Sequence, residues 1–208
     1  DRYMQLENSD ASGIYGAVDY IAQLKMGEVN VSGVNKAIVV GGGNTALDAV
    51  RELAGIGISN VTMVYRGSEE GMSGYQHEWV EGKKEGIYAS WRSQPVAFIA
   101  ENGQVTGLRC QQMDDQKQLI EGSEFNVDAD LILLAIGQGK QGELAESLPG
   151  LQVEWGKIVV DSNGATGCSG VYAGGDCING GKEVVNAVAD GDVAAHAIHR
   201  FLGGSNNG

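Results

Sequence analysis

The sequence predicts an α/β fold in which a parallel sheet carries helices on both faces, with an antiparallel β-meander inserted. Three observations predict it. The run Ala37-Ile38-Val39-Val40 breaks into Gly41-Gly42-Gly43 and turns helical, and a second strand follows over residues 61–65. Strand, helix and strand within about thirty residues make the βαβ unit of a parallel sheet. An Asn102-Gly103 pair between alternating runs is the strongest short hairpin signal. The apolar run Leu131-Ile132-Leu133-Leu134-Ala135 is what a parallel strand buried on both faces requires.

The elements follow in order. Residues 14–25 read as a helix with Val18, Ile21 and Leu24 on one face, joined to the first strand by residues 27–35. After that strand, Ala46, Ala49, Val50 and Leu53 recur at helical spacing, and Gly55 with Gly57 stop the helix. The second strand ends at Arg66. A polar, glycine-rich loop runs through Gly74, followed by a predicted helix over 75–84 and a strand over 87–91. Short strands over 96–100, 105–113 and 119–127 form the meander, and the sheet resumes at 130–135. In the last third, 157–160 and 170–173 read as strands, the latter running into Gly174-Gly175-Asp176. A helix over 183–202 sets Val184, Ala187, Val188, Gly191, Ala195 and Ile198 along one stripe, and Gly191 there predicts close contact with another backbone.

Composition bounds the function. With 208 residues, 42% apolar and 20% charged, the chain is globular and long enough for one large or two small domains. A net charge of -13 argues against nucleic acid or an anionic membrane surface as partner, since both need a basic face. No apolar run approaches membrane-spanning length and no signal peptide is visible, so the expectation is a cytoplasmic protein. Cys110, Cys168 and Cys177 lie too far apart for a C-x-x-C pair or an iron-sulfur ligand set and read as free thiols. His77, His196 and His199 show no metal-site spacing, so no metal is predicted. The start at Asp1 and the tail over 203–208 suggest a piece of a longer protein with a flexible end.

The chemistry concentrates in residues 41–46. Gly41 allows the tight turn, Gly43 lets the backbone approach a phosphate, and Ala46 keeps the helix close to the sheet, satisfying the G-x-G-x-x-A form of the dinucleotide fingerprint. In a chain with 33 glycines the triplet alone also suits an ordinary strand-to-helix turn. The complete βαβ unit around it favours the dinucleotide, because the helix would point unpaired N–H groups at an anion in the loop. An acidic residue at the end of the second strand would select NAD(H), and an arginine there would accommodate the 2'-phosphate of NADP(H). Arg66 holds that place, which favours NADP(H). A solvated arginine neutralised by Glu69 and Glu70 is the other reading, and it leaves NAD(H) open.

Together these segments resemble the FAD/NAD(P)-dependent pyridine nucleotide oxidoreductases, and within them the glutamate synthase small subunit and the flavin module of dihydropyrimidine dehydrogenase. The carriers are Val39-Val40-Gly41-Gly42-Gly43-Asn44-Thr45-Ala46-Leu47-Asp48-Ala49-Val50, Val61-Thr62-Met63-Val64-Tyr65-Arg66, Ala135-Ile136-Gly137-Gln138 and Gly170-Val171-Tyr172-Ala173-Gly174-Gly175-Asp176, with Glu78 and Glu85-Gly86-Ile87. The likeness covers residues 13–202. It implies a Rossmann-like NAD(P)-binding domain over 31–142 and part of a second, FAD-type dinucleotide-binding domain. Residues 1–30 would be the connector of that second domain, 143–202 its C-terminal part, and 203–208 a flexible tail.

The resemblance also implies roles. Gly41, Gly42, Gly43, Asn44, Thr45 and Ala46 would bind NAD(P)H, with Arg66 on the 2'-phosphate and Gly137 near the nicotinamide. Gly175 and Asp176 would meet the ribityl-phosphate part of FAD, and the helix beginning near Glu183, Val184 and Val185 would aim its positive end at the flavin. The implied activity is hydride transfer from NADPH to FAD for onward transfer to an electron-accepting partner subunit or domain, iron-sulfur being one candidate. Such transfer needs stacking and distance, so no catalytic side chain is predicted. The chain departs from the family in three ways. Gly67 stands where a second basic residue is usual. Thr166-Gly167-Cys168-Ser169-Gly170-Val171 replaces Thr-Ser-x-Pro-Gly-Val. This sequence also lacks a first G-x-G-x-x-G unit and upstream cysteine clusters, so its FAD site is expected to be incomplete. Two alternatives remain: a disulfide reductase related to thioredoxin reductase, which needs a C-x-x-C pair, and a non-catalytic nucleotide-binding or assembly module.

Overall fold

The computed structural model describes residues 1–139 and 147–203, which fall into two compact units, Asp1–Gly139 and Lys140–Gly208. The first unit runs β1 (Ile14–Gly16), α1 (Ala17–Lys25), β2 (Lys36–Val40), α2 (Asn44–Gly55), β3 (Asn60–Val64), α3 (Gln76–Lys84), β4 (Tyr88–Ser90), β5 (Ser93–Glu101), β6 (Gln104–Met113), β7 (Leu119–Asp128) and β8 (Leu131–Leu134). A parallel sheet has the order β1-β8-β2-β3-β4, and an antiparallel sheet the order β5-β6-β7. The chain leaves β2 toward β3 and returns by β8 on the other side of β2. That reversal of direction is the switch point where open parallel sheets take their ligands.

Strand periodicity splits the core into two layers. Ala37, Val39, Val61, Met63, Leu131 and Leu133 point toward α1, α2 and α3, where Ala46, Leu47, Val50, Leu53 and Trp79 meet them. Ile38, Val40, Val64, Ile132 and Leu134 point the other way, onto Phe98, Val105, Leu108 and Cys110 of the meander. Each such large side chain contributes about 1.5–3 kcal/mol on leaving water. The expected α/β class stands, with its parallel sheet, helices and antiparallel meander. The covering of the second face differs from expectation: in this unit the meander, not helices, packs there, because β5 and β6 present their own alternating apolar residues to the sheet.

Residues 14–16 form a strand and not the first turn of a helix. Ile14 pairs with Ile132 and Gly16 with Leu134, a long-range pairing that local periodicity does not reveal. Helix α1 therefore starts at Ala17. Its N-cap Gly16 has no side chain to cap with, and the Asp19 N–H donates instead to Asp1 Oδ2 at 3.1 Å. Asn102 and Gly103 both take positive φ, as the predicted two-residue hairpin turn requires.

The second unit has little regular structure ahead of its helices. Strands β9 (Val153–Glu154) and β10 (Lys157–Ile158) pair antiparallel, and helices α4 (Asp176–Asn179) and α5 (Val184–Phe201) follow. Residues 170–173 make only an isolated bridge, Tyr172 to Ala165, since among the described residues no neighbouring ladder extends it. Asp161 turns the chain there by accepting the N–H groups of Asn163 and Ala165, which holds its carboxyl below the usual range. A Cβ on Gly191 would meet open space, contrary to expectation. The close approach to α5 is made by Gly174, against Asp190, and by Gly175, against Ala187. The expected boundary at 142/143 and residues 204–208 of the expected tail lie outside the described residues. Among the described residues, no helix is long and apolar enough to cross a membrane.

Candidate functional site

The site of the first unit grows from the end of β2. Gly41 takes φ +149°, and its N–H donates to the Val64 carbonyl at 3.0 Å. A side chain there would collide with the Ala135 carbonyl oxygen, so only glycine lets β2, β3 and β8 end together. At Gly42 a Cβ would come within 2.5 Å of Tyr65 Cδ2, and at Gly67 within 2.5 Å of Tyr65 Cε1. The phenol is thus held between two glycines, with Trp91 edge-on to it at 6.2 Å.

Gly43 is the N-cap of α2, and a Cβ built there meets only Ser73 Oγ at 3.6 Å, which leaves this backbone open. No side chain caps the helix and no acidic residue sits in its first turn. Among the described residues, the N–H groups of Gly42, Gly43, Asn44 and Thr45 have no protein acceptor. Unpaired donors on the positive end of a helix form an anion site.

Of these, Gly42, Gly43 and Thr45 line a cleft of about 860 Å³ beyond the C-terminal ends of β2, β3 and β8. Of the predicted residues, the structure brings Gly41, Gly42, Gly43, Thr45, Arg66 and Gly137 to it. Asn44 does other work: its Oδ1 accepts the Tyr75 N–H at 3.0 Å, tying the start of α3 to that of α2. Ala46 is fully buried in the helical layer and lets α2 approach the sheet.

Arg66 is exposed and makes no ion pair among the described residues. The alternative reading, a solvated arginine neutralised by Glu69 and Glu70, finds no such ion pair among the described residues. Glu69 Oε1 accepts from Lys83 Nζ at 2.7 Å and from Trp79 Nε1 at 2.8 Å, and these bonds, Lys83 first, hold its carboxyl below the usual range. Glu70 is held low by its own backbone N–H and by the Ser68 hydroxyl. Sequence reasoning missed Arg2, whose N–H donates to the Gly137 carbonyl at 3.0 Å, and Gln94 and Pro95 at the start of the meander. It also missed Ser73, whose hydroxyl donates to the Gly42 carbonyl at 3.3 Å.

In the second unit, Gly175, Asp176, Glu183 and Val184 border a shallow hollow of about 450 Å³, and Val185 stands outside it. The Gly175 N–H donates to Asp190 Oδ2 at 3.0 Å, and the Lys182 N–H to Asp176 Oδ1 at 3.4 Å. Glu183 and Asn186 form a reciprocal capping box at the start of α5. Val184, Val185 and Val188 leave an apolar first turn exposed. Cys110, Cys168 and Cys177 are free thiols, and among the described residues no cluster could hold a metal.

Residues 6–191 match the family described as pyridine nucleotide-disulphide oxidoreductase. The chain is 36% identical over 224 residues to a putative oxidoreductase, AegA, of Escherichia coli (strain K12), covering 95% of this chain and 34% of that protein. It is 34% identical over 195 residues to the glutamate synthase (NADPH) small chain of Azospirillum brasilense, covering 88% of this chain and 40% of that protein. It thus spans well under half the length of either relative. Among solved structures, the thioredoxin reductase of T. acidophilum shares its fold, with a TM-score of 0.78 at 21% identity over 97% of this chain and 62% of that one. The family match covers most of the sequence, and the chain belongs to the pyridine nucleotide-disulphide oxidoreductase family.

Proposed function

We propose that this chain is the nicotinamide-nucleotide-binding part of an NADPH-dependent flavin oxidoreductase, with residues 31–142 as its NAD(P)-binding domain and 143–202 as a C-terminal part of its FAD-binding domain. The observation that carries this reading is the convergence, in one cleft, of three unpaired N–H groups, those of Gly42, Gly43 and Thr45, and of Arg66, which makes no ion pair among the described residues. The cleft is of the size that takes a cofactor. The N–H groups of Gly42, Gly43 and Thr45 hold the pyrophosphate, Arg66 pairs with the 2'-phosphate, and Gly137 borders the nicotinamide end. Thr45 closes the phosphate side of the cleft. Asn44 and Ala46 shape the loop without touching the nucleotide.

For the flavin, Gly175 and Asp176 offer a backbone and a carboxylate to the ribityl-phosphate part. Glu183, Val184 and Val185 present an exposed apolar helix start to the ring. These residues fit one side of such a group, and the fit is incomplete within this chain. A bound flavin supplies the hydride acceptor. Glutamate synthase (NADPH) small chain is by name one subunit of a larger enzyme. By that likeness the electrons of this protein leave to a partner subunit or domain, with an iron-sulfur group as one candidate acceptor.

A disulfide reductase is the weaker reading. The likeness to thioredoxin reductase is one of fold, and this chain holds three free cysteines with no C-x-x-C among them. Calorimetric titration with NADPH, together with flavin absorbance under anaerobic NADPH, tests the proposal. Nucleotide binding with flavin absorbance that NADPH bleaches supports it. Nucleotide binding with no flavin in any preparation points to a non-catalytic binding module, and failure to bind NADPH overturns the reading altogether.

A further inference from the structure

Arg92 is tied by its backbone to Gly67, the residue after Arg66, and its side chain makes no contact that demands an arginine among the described residues. It follows Trp91 in the tight connection between β4 and β5, at φ +52°, a left-handed conformation that favours glycine or asparagine. Its N–H donates to the Gly67 carbonyl at 2.9 Å, and its own carbonyl accepts the Met113 N–H at 2.7 Å. Both are backbone bonds that asparagine would make as well. Among the described residues the side chain pairs only with Asp115, at 2.6 Å across the turn that joins β6 to β7, and both partners are well exposed. Such a pair adds little to stability.

The position of Arg92 is what distinguishes it. The Gly67 bond fixes its backbone against the residue that follows Arg66, on the loop that Arg66 opens. Gly67 itself cannot carry a side chain, because Tyr65 fills that space. A second cation for an anion held by Arg66 must therefore come from elsewhere in the chain. Arg92 is delivered to that loop from β4, and its charge already reaches the carboxyl of Glu70 there.

We propose that Arg92 is the second cation of the 2'-phosphate subsite, turning from Asp115 to the phosphate when NADP(H) binds, and so helps to select NADP(H) over NAD(H). This rests on the reading of Arg66 given above. A phosphate monoester carries close to two charges at neutral pH and is best held by more than one charged donor. The surface pair with Asp115 costs little to open.

The test compares dissociation constants for NADPH and NADH, by calorimetry, in the unaltered protein and in Arg92→Asn, Arg92→Lys, Asp115→Asn and Arg66→Ala. Arg92→Asn suits the left-handed backbone and keeps both backbone bonds. The expected result is about tenfold weaker NADPH binding in Arg92→Asn with NADH unchanged, as the loss of one charge-assisted contact gives. Arg92→Lys should recover part of the loss, and Asp115→Asn should tighten NADPH severalfold by releasing the guanidinium. If Arg66→Ala abolishes the NADPH preference while Arg92→Asn leaves it intact, the Arg92 proposal fails and the cleft assignment stands. If neither substitution changes the preference, or if neither nucleotide binds, both fall together.

Discussion

The indole N–H of Trp79 donates to Glu69 Oε1 at 2.8 Å, anchoring a carboxylate of the loop to the face of α3. Lys83 reaches the same oxygen and lies over the Trp79 ring. The consequence is electrostatic: a charge that sequence proximity assigns to Arg66 is used elsewhere. Lys83 first, and Trp79 second, hold the Glu69 carboxyl below its ordinary value. A carboxylate with a lowered folded-state pKa adds stability above its unfolded value, and that contribution disappears as pH falls through the folded value. Glu69→Gln should therefore lower the urea midpoint slightly at pH 7, with the difference from the unaltered protein vanishing in acid, below the ordinary glutamate range near 4.5. A difference that grows in acid would contradict this assignment.

Tyr65 between Gly42 and Gly67 makes a steric prediction. Gly67→Ala brings a methyl group within 2.5 Å of the ring, so the ring or the loop must shift. Overpacking of this kind costs about 1–3 kcal/mol. Equilibrium denaturation should show the loss, and Tyr65→Ala combined with Gly67→Ala should show a smaller additional cost of the methyl than Gly67→Ala does alone. Equal costs in both backgrounds would mean that the ring is not the obstacle.

The cysteines differ in burial, which predicts a difference in reactivity. Cys110 is buried between the meander and the sheet, where desolvation pushes its thiol up to about 12, while Cys177 is exposed with its thiol donating to the Gly174 carbonyl at 3.2 Å. Only thiolate reacts with a disulfide reagent such as DTNB. In the folded protein at pH 8 Cys177 should be modified and Cys110 should not, until denaturant is added. Rapid labelling of Cys110 under native conditions would contradict its place in the core.

The two core layers predict where truncation hurts. Leu133 is fully buried on the helical side of β8, and Leu133→Ala should cost about 2–5 kcal/mol with a matching fall in thermal midpoint. Val185→Ala should change stability by less than about 0.5 kcal/mol, because this side chain is exposed. Comparable losses at the two positions would contradict the layer assignment.

The sequence made the local elements of the first unit legible. Gly41-Gly42-Gly43 and the helical spacing of Ala46 to Leu53 mark β2 and α2, and Asn102-Gly103 marks the hairpin. Long-range pairings were not legible. Ile14 to Gly16 form a strand only because β8 offers an edge, and residues 170–173 fall short of one for want of a partner. The same holds at the site. Gly43 and Arg66 follow from motif and spacing and Thr45 and Gly137 from the family resemblance, whereas Arg2 reaches the cleft through a hydrogen bond to Gly137 and Arg92 reaches the Arg66 loop through one to Gly67. Neither bond has a signature in the local sequence. Asn44 and Ala46 belong to the motif yet work on the fold side of the loop, against Tyr75 and the sheet.

The central claim is that the cleft at the start of α2 binds NADP(H), with Arg66 on its 2'-phosphate, and nucleotide binding by Arg66→Ala tests it most directly. Loss of a hydrogen-bonded charge contact worth about 1.5–3 kcal/mol weakens binding by about 10- to 100-fold. Calorimetry should show that loss for NADPH, with NADH changed less than about twofold, so that the preference between them collapses. Equal weakening of both nucleotides, or no weakening of either, would contradict the account.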